Sequence, residues 1–207
     1  MIPSGFYAIL DRDDEVLART LVRDGGARIL QVRIKPRGSA ASADAIDIVR
    51  IARMARRVCD ELGAMLVVND RVDIALAVRA DGVHLGQTDL PLADARRIAG
   101  DRLFVGVSTH DLAQVRAARA AGADYLGYGP VFATATKANP DAVQGITALR
   151  AAVEAARPTP VVAIGGVTVE RAMALYATGV TAICAIGAVN DAADVGAAAR
   201  AMADRKR

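Results

Sequence analysis

Short apolar runs alternate with longer amphipathic segments along almost the whole chain. The apolar runs are a few residues long and rich in Val, Ile, Leu and Ala, which is typical of buried β-strands. Most amphipathic segments end at a glycine, as helices commonly do. The pattern predicts eight strands, at about residues 6–10, 28–35, 65–68, 83–85, 103–107, 125–128, 160–164 and 181–186.

A helix is predicted after every strand, at about residues 15–24, 42–62, 72–78, 91–99, 111–121, 146–156, 169–177 and 192–202. Repeated strand–helix units favour a parallel sheet, because parallel strands need crossover connections. Eight such units in 207 residues match the lower end of a (β/α)₈ barrel. The alternative is an open doubly wound sheet, but its glycine fingerprint near the first strand is missing. We therefore predict an α/β fold, a single (β/α)₈ TIM barrel over residues 1–207.

Composition narrows the classes of function. The chain is 53% hydrophobic and 24% charged, which fits one globular domain with a large core. Aromatic residues make up only 3% and Trp is absent, which argues against nucleic-acid binding by base stacking. The net charge of +3 is a mild bias towards anionic ligands. No membrane span or basic leader is visible, so we expect a cytoplasmic protein with no membrane partner. Self-association stays open, and Cys59 and Cys184 are expected to be buried, reduced thiols.

Two carboxylates stand at the ends of neighbouring predicted strands. Asp70 follows the third strand, and Asp89 follows the fourth. Ligands of α/β barrels bind at the carboxyl ends of the strands, and two hard oxygen ligands there suit Mg²⁺. Taken singly, Asp70 could instead cap the next helix, and Asp89 could start a turn before Pro91. Their joint placement favours a magnesium site.

The second strand carries polar residues at every other position, namely Gln31, Arg33 and Lys35. Strands of such barrels are usually apolar on both faces, so this alternation predicts that the three side chains point inwards. Buried cations need anionic partners. Internal pairing with Asp70 and Asp89 is one solution, and a diphosphate chelated by Mg²⁺ at the barrel mouth is the one we favour.

Later loops suggest a second anion site. The long loop after the sixth strand contains Thr134, Thr136 and Lys137. Gly165–Gly166 and Gly187–Ala188 follow the seventh and eighth strands, where many barrels bind a phosphate through backbone N–H groups. The sequence therefore predicts two anionic groups, one bound with metal on the early-strand side and one without metal on the late-strand side.

Six segments, in order along the chain, resemble thiamine phosphate synthase: 31–35 (QVRIK), 69–71 (NDR), 84–89 (HLGQTD), 106–110 (GVSTH), 129–139 and 163–166 (AIGG). The resemblance covers nearly the whole chain. It implies a transferase of thiamine biosynthesis that joins hydroxymethylpyrimidine diphosphate to hydroxyethylthiazole phosphate and releases pyrophosphate. It also implies one Mg²⁺ per subunit and small-molecule substrates, with no nucleic-acid partner.

The resemblance also assigns roles. Asp70 and Asp89 would hold Mg²⁺, and Gln31 and Ser108 would lie near the pyrimidine. One departure concerns Gly187, where many relatives have Ser. The diphosphate would be held by Arg33, Lys35, Asn69 and Lys137, and the thiazole phosphate by Thr134, Thr136, Gly166, Ile186 and Gly187. Direct roles in catalysis would fall to Arg33, Lys35, Ser108 and Lys137.

Two other functions are consistent with such a barrel. A thiazole tautomerase would use His110 as an acid or base, although a tautomerase has no diphosphate to expel. We expect His110 to face solvent in the first turn of a helix, and His84 to be a packed strand residue. A non-catalytic sensor of thiamine precursors would bind the thiazole phosphate without binding a diphosphate through Mg²⁺.

Overall fold

A computed structural model of the chain describes residues 2, 4–35, 43–134 and 142–203. Eight parallel strands form a closed barrel in chain order, and the last strand pairs with the first. The predicted TIM barrel is therefore confirmed. The strands are β1 Gly5–Leu10, β2 Ile29–Val32, β3 Met65–Asn69, β4 Gly82–Leu85, β5 Phe104–Thr109, β6 Tyr125–Tyr128, β7 Val161–Ile164 and β8 Ala182–Ala185.

Helices surround the barrel, and local side chains fix several of their ends. Asp14 accepts a hydrogen bond from Leu17 N at 2.9 Å, and Asp111 accepts one from Gln114 N at 2.8 Å. None of the described helices is long and apolar enough to cross a membrane. The helices are α1 Glu15–Arg19 with a π-helical continuation Thr20–Asp24, α2 Ala45–Leu62, α3 Val72–Ala77, α4 Leu92–Ala99, α5 Leu112–Ala120, α6 Gly145–Ala156, α7 Val169–Tyr176, α8 Gly187–Asn190 and α9 Val195–Ala203.

Alternation along each strand divides the apolar residues into two clusters. On β1, Phe6 and Ala8 belong to the larger cluster, which packs under the helices. Tyr7 and Ile9, between and beyond them, belong to the smaller cluster that fills the barrel. Because the interior is packed with side chains, a ligand can enter only at an end of the barrel.

The N-terminal ends of the strands are fixed by two similar braces. Asp81, just before β4, accepts hydrogen bonds from Leu66 N and from Arg56 Nη1, both at 2.7 Å. Asp124, just before β6, accepts one from Val105 N at 2.7 Å and pairs with an arginine of α4. Each carboxylate joins a strand to its predecessor and to a preceding helix. This end of the barrel therefore serves stability.

Candidate active site

A cavity of about 640 Å³ opens at the C-terminal ends of the strands. Its wall is formed by residues that follow the strands, together with the starts of the loops. Most of the residues predicted from the sequence lie together in this wall: Arg33, Lys35, Asn69, Asp70, Asp89, Ser108, Thr134, Gly166, Ile186 and Gly187.

Of the other predicted residues, Gln31 does not line the cavity. Gln31 is only 4% exposed, because its side chain points into the barrel below the mouth. Thr136 and Lys137 lie outside the described residues, so their predicted contacts with phosphate remain predictions.

The two predicted metal ligands lie close together. Asp70 adopts φ 62°, a left-handed conformation that is uncommon outside glycine, and its Oδ2 pairs with Lys35 Nζ at 2.5 Å. The backbone N–H of Gly86 donates to Asp89 Oδ2 at 2.6 Å. Asp70 does not cap α3, since the cap residue there is Arg71 and makes no side-chain hydrogen bond.

The electrostatics of this pair fit a divalent cation. Burial raises the pKa of Asp89, and the neighbouring Asp70 carboxylate raises it further. A cation between the two groups would relieve this repulsion. Within the described ranges, no cluster of three or more His, Cys, Asp or Glu side chains could hold a metal. The chain would thus supply two carboxylates, and water and phosphate oxygens would complete the shell, as Mg²⁺ prefers.

The late-strand side forms a cradle of backbone groups. Gly165 and Gly166 have φ 94° and 61°, and a Cβ at Gly166 would lie 2.5 Å from Ala133 O. Glycine is needed here because the loop after β6 packs directly on this turn, with Phe132 N donating to Gly165 O at 3.0 Å. Backbone N–H groups in such a turn are accessible to an anion.

Arg171, in the first turns of α7, was not predicted as a site residue. Its Nη1 donates to Gly166 O at 2.6 Å, and its guanidinium stacks 4.3 Å from the centre of the Phe132 ring. It also lines the cavity. Arg171 therefore joins the glycine turn to the loop that carries Thr134. From the sequence alone, it looks like any surface arginine on a helix.

A chain of hydrogen bonds crosses the interior beneath the cavity. Gln31 Nε2 donates to Tyr7 Oη at 2.9 Å, and Tyr7 Oη lies 2.8 Å from Tyr125 Oη. Tyr125 Oη lies 2.8 Å from His84 Nδ1, and His84 Nε2 lies 2.9 Å from Ser108 Oγ. Burial lowers the pKa of His84 to about 4, although the Asp89 carboxylate opposes this shift. His84 is therefore a neutral, packed strand residue at neutral pH, as expected.

The expectation for His110 was wrong. His110 lines the cavity instead of facing solvent, and its Nδ1 donates to Gly129 O at 2.6 Å. The reason is the close approach of the loop after β6, which a helical pattern does not reveal.

Both cysteines are buried and free, as predicted. Burial raises the pKa of Cys184 to about 12, which makes it a poor nucleophile.

Known proteins match this chain over most of its length. The sequence profile of the thiamine monophosphate synthase family matches residues 6–189. The thiamine-phosphate synthase of Anaeromyxobacter dehalogenans is 43% identical over 198 residues, 96% of this chain and 86% of that protein. The thiamine biosynthesis bifunctional protein ThiM/ThiE of Symbiobacterium thermophilum is 46% identical over 186 residues, 90% of this chain but 37% of that protein.

A solved structure agrees with these sequence matches. The thiamine phosphate pyrophosphorylase from Pyrococcus furiosus is similar in fold, with a TM-score of 0.84, and is 37% identical in sequence. The match covers 96% of this chain and 93% of that one.

Proposed function

The chain belongs to the thiamine monophosphate synthase family, and from this premise we propose how its barrel mouth serves the reaction. The enzyme is a transferase that condenses hydroxymethylpyrimidine diphosphate with hydroxyethylthiazole phosphate, giving thiamine phosphate and pyrophosphate. The relatives are named as synthases, which favours this reaction over thiazole isomerisation and over sensing. The proposal concerns the metal and the roles of individual residues.

The observation that best supports this proposal is that one cavity contains two regions suited to anions, on opposite sides of the barrel opening. Arg33, Lys35, Asp70 and Asp89 form the first, and the turn at Gly166 with its surroundings forms the second. A substrate pair with a diphosphate on one partner and a phosphate on the other suits this division. We assign the diphosphate to the early-strand side and the thiazole phosphate to the late-strand side.

On the early-strand side, Asp70 and Asp89 would hold one Mg²⁺, which supplies charge stabilisation to the departing diphosphate. Arg33 and Lys35 bind the phosphate oxygens directly, and Asn69 donates from its amide. Lys35 has a second role, because its contact with Asp70 at 2.5 Å orients the carboxylate. The assignment of Lys137 to the same diphosphate rests on the resemblance alone.

On the late-strand side, backbone N–H groups near Gly166, Ile186 and Gly187 bind the thiazole phosphate, and the Thr134 hydroxyl adds a side-chain contact. Gly187 is the first residue of the short helix α8, so its N–H is not used within that helix. The assignment of Thr136 rests on the resemblance. Gly187 provides backbone contacts only, since it has no hydroxyl.

The chemistry needs orientation more than it needs a nucleophile from the protein. The amino group on the pyrimidine can stabilise positive charge on the methylene carbon, so the bond to the diphosphate breaks in a dissociative, carbocation-like step. The thiazole nitrogen then attacks that carbon. Holding each substrate by its own phosphate aligns the two atoms, an effect worth several kcal/mol, on the order of 7 or more in well-aligned systems.

The test is the Mg²⁺ dependence of turnover in Asp70→Ala and Asp89→Ala. We expect metal-dependent turnover to fall by orders of magnitude in both, because each variant removes one of two carboxylate ligands. Asp73→Ala is the matched control, since Asp73 lies on α3 with a side chain that is 65% exposed and pairs with Arg71. Unchanged rates and unchanged Mg²⁺ dependence in both site variants would contradict the metal assignment.

A further inference from the structure

In the series of hydrogen bonds from Gln31 to Ser108 beneath the cavity, each group can donate its proton to the next. The Gln31 amide nitrogen can only donate, so the Tyr7 oxygen accepts from it, and the Tyr7 proton is then available for the 2.8 Å contact with Tyr125 Oη. In that arrangement the Tyr125 proton goes to His84 Nδ1, 2.8 Å away. A neutral imidazole that accepts at Nδ1 carries its proton on Nε2, so His84 donates to Ser108 Oγ. Ser108 is thereby left with its own proton to donate.

This order requires both tyrosines to be protonated. Burial raises the pKa of Tyr7 and of Tyr125, so both phenols keep their protons near neutral pH. The His84 ring lies between two hydroxyl groups, Tyr125 Oη at 2.8 Å and Ser108 Oγ at 2.9 Å, and a neutral imidazole there has one donor and one acceptor. Tyr7, Tyr125 and His84 therefore each have one proton to donate to the next group in the series.

Two glycines make room for this arrangement. A Cβ at Gly106 would lie 2.0 Å from Cζ of the Tyr125 ring, and a Cβ at Gly127 would lie 3.2 Å from Cε1 of His84. Any other residue at Gly106 would displace Tyr125 from its position between its two partners. The backbone is thus shaped around these two rings: Gly106 lies on β5, between the strands of His84 and Tyr125, and Gly127 lies on β6, the strand of Tyr125.

We propose that the chain from Gln31 to Ser108 fixes the Ser108 hydroxyl as a hydrogen-bond donor to the cavity, and that this selects a pyrimidine whose ring nitrogen is an acceptor. Tyr7, Tyr125 and His84 act as positioning residues, through Ser108. The inference rests on the proposed function, because that function brings the pyrimidine to Ser108.

The selection follows from the chemistry of the pyrimidine edge. In an aminopyrimidine, the ring nitrogen beside the amino group has a lone pair and accepts. In the oxo analogue, where oxygen replaces the amino group, that nitrogen carries hydrogen and donates. A donor on Ser108 would then face a donor on the ring, and one of the two would lack a partner. We expect the wild-type enzyme to prefer the aminopyrimidine by at least about 30-fold in kcat/KM.

The test measures this preference, as the ratio of kcat/KM for the two pyrimidine diphosphates, in Tyr125→Phe. Without the Tyr125 hydroxyl, His84 can take either tautomer and Ser108 can present either polarity, so the preference should fall by about 10-fold. Tyr128→Phe is the matched control. Tyr128 is a buried tyrosine of the same strand, and its hydroxyl donates to Gln144 Oε1 at 3.4 Å. Neither residue belongs to the series of hydrogen bonds from Gln31 to Ser108. An unchanged preference in folded Tyr125→Phe would overturn the inference.

A double variant tests whether Tyr125 acts through Ser108. In the Ser108→Ala background, Tyr125→Phe should alter the preference by less than about twofold, because the group it positions is already gone. A further fall as large as in the wild-type background would overturn the inference. Melting temperatures of all variants show whether each is folded under assay conditions.

A second readout needs no substitution in the chain of hydrogen bonds. The protein has two histidines, so ¹⁵N-histidine labelling gives two sets of ring signals, and His110→Gln assigns them. We expect the His84 signals of the tautomer protonated on Nε2. Protonation on Nδ1 would reverse the direction and overturn the inference. The tautomer of His84 is measured without substrate, so it does not depend on the proposed reaction. Failure of the wild type to form thiamine phosphate would contradict the proposed function instead.

Discussion

Replacing Asp89 with Asn should change pyrophosphate binding in opposite directions with and without Mg²⁺. Asp89 and Asp70 lie close enough that one raises the pKa of the other, and Lys35 pairs with Asp70 at 2.5 Å. With metal, the two carboxylates would act as ligands that help to retain the anion. Without metal, they are negative charges that repel it. Asn keeps the shape of the side chain but removes its charge.

The magnitude follows from the charges at the mouth. Asp70 and Asp89 are offset by Arg33 and Lys35, so these four side chains carry no net formal charge. A unit charge about 5 Å from a phosphate is worth about 1 kcal/mol in water and about 3 kcal/mol at an effective dielectric constant of 20. The side chain of Asp70 is 17% exposed, which places this region between those limits. Metal-free pyrophosphate should therefore bind about 5- to 150-fold more tightly to Asp89→Asn.

The assay is isothermal titration calorimetry with pyrophosphate, first in a chelating buffer and then with excess Mg²⁺. Wild-type protein should bind more tightly with Mg²⁺, whereas Asp89→Asn should lose most of that gain. Asp73→Asn, an exposed carboxylate on α3, should behave like the wild type in both buffers. Weaker metal-free binding in Asp89→Asn, or a full Mg²⁺ gain, would refute the reasoning.

Three further results are expected. Gly166→Ala should raise the KM for the thiazole phosphate at least about 10-fold, because its Cβ would lie 2.5 Å from a backbone oxygen. Gly63→Ala is the control, because Gly63 has φ 71° but open space around it, and this variant should reduce only the melting temperature. Equal KM values in the two variants would contradict a role of the Gly166 turn in phosphate binding. Asp124→Ala should lower the free energy of unfolding by about 1–3 kcal/mol in denaturant titrations, with initial rates unchanged, because a strand N–H loses its acceptor and an arginine loses its carboxylate partner. As pH falls from 6.5 to about 4, the unfolded chain binds a proton at His84 that the folded chain does not. In metal-free buffer, the free energy of unfolding of the wild type should therefore fall more steeply with decreasing pH than that of His84→Gln, by up to about 1.4 kcal/mol per pH unit. The same pH dependence in both proteins would show that the pKa of His84 is not lowered.

The barrel and much of its mouth could be predicted because they depend on local patterns. Alternation over residues 28–35 predicted that Arg33 and Lys35 face inwards from the second strand; that strand ends at Val32, and both residues follow it and line the cavity. Asp70 and Asp89 each follow a buried strand, and parallel strands bring such positions to one edge. The structure indeed brings the two carboxylates together. The same reasoning missed the short helix Gly187–Asn190, which has too few residues to show a helical period.

The polar chain beneath the site could not be predicted, because it depends on contacts between distant segments. Tyr7 and Tyr125 are 118 residues apart, and they meet only when the barrel closes with its observed register. Each tyrosine in isolation looks like an ordinary core residue. Gly106 and Gly127 are local signals, since a glycine inside a strand often marks a close approach of another group. His110 was misjudged and Arg171 was not predicted for a similar reason, because the loop after β6 reaches both.

The most direct measurement is the formation of thiamine phosphate by the purified protein from the two substrates, read as thiochrome fluorescence, with Mg²⁺ and with a chelator. We expect product with Mg²⁺ and almost none with the chelator, with activity restored when Mg²⁺ is added back. Equal rates in both conditions would contradict the role given to Asp70 and Asp89. No product from folded protein and verified substrates would contradict the proposed reaction itself.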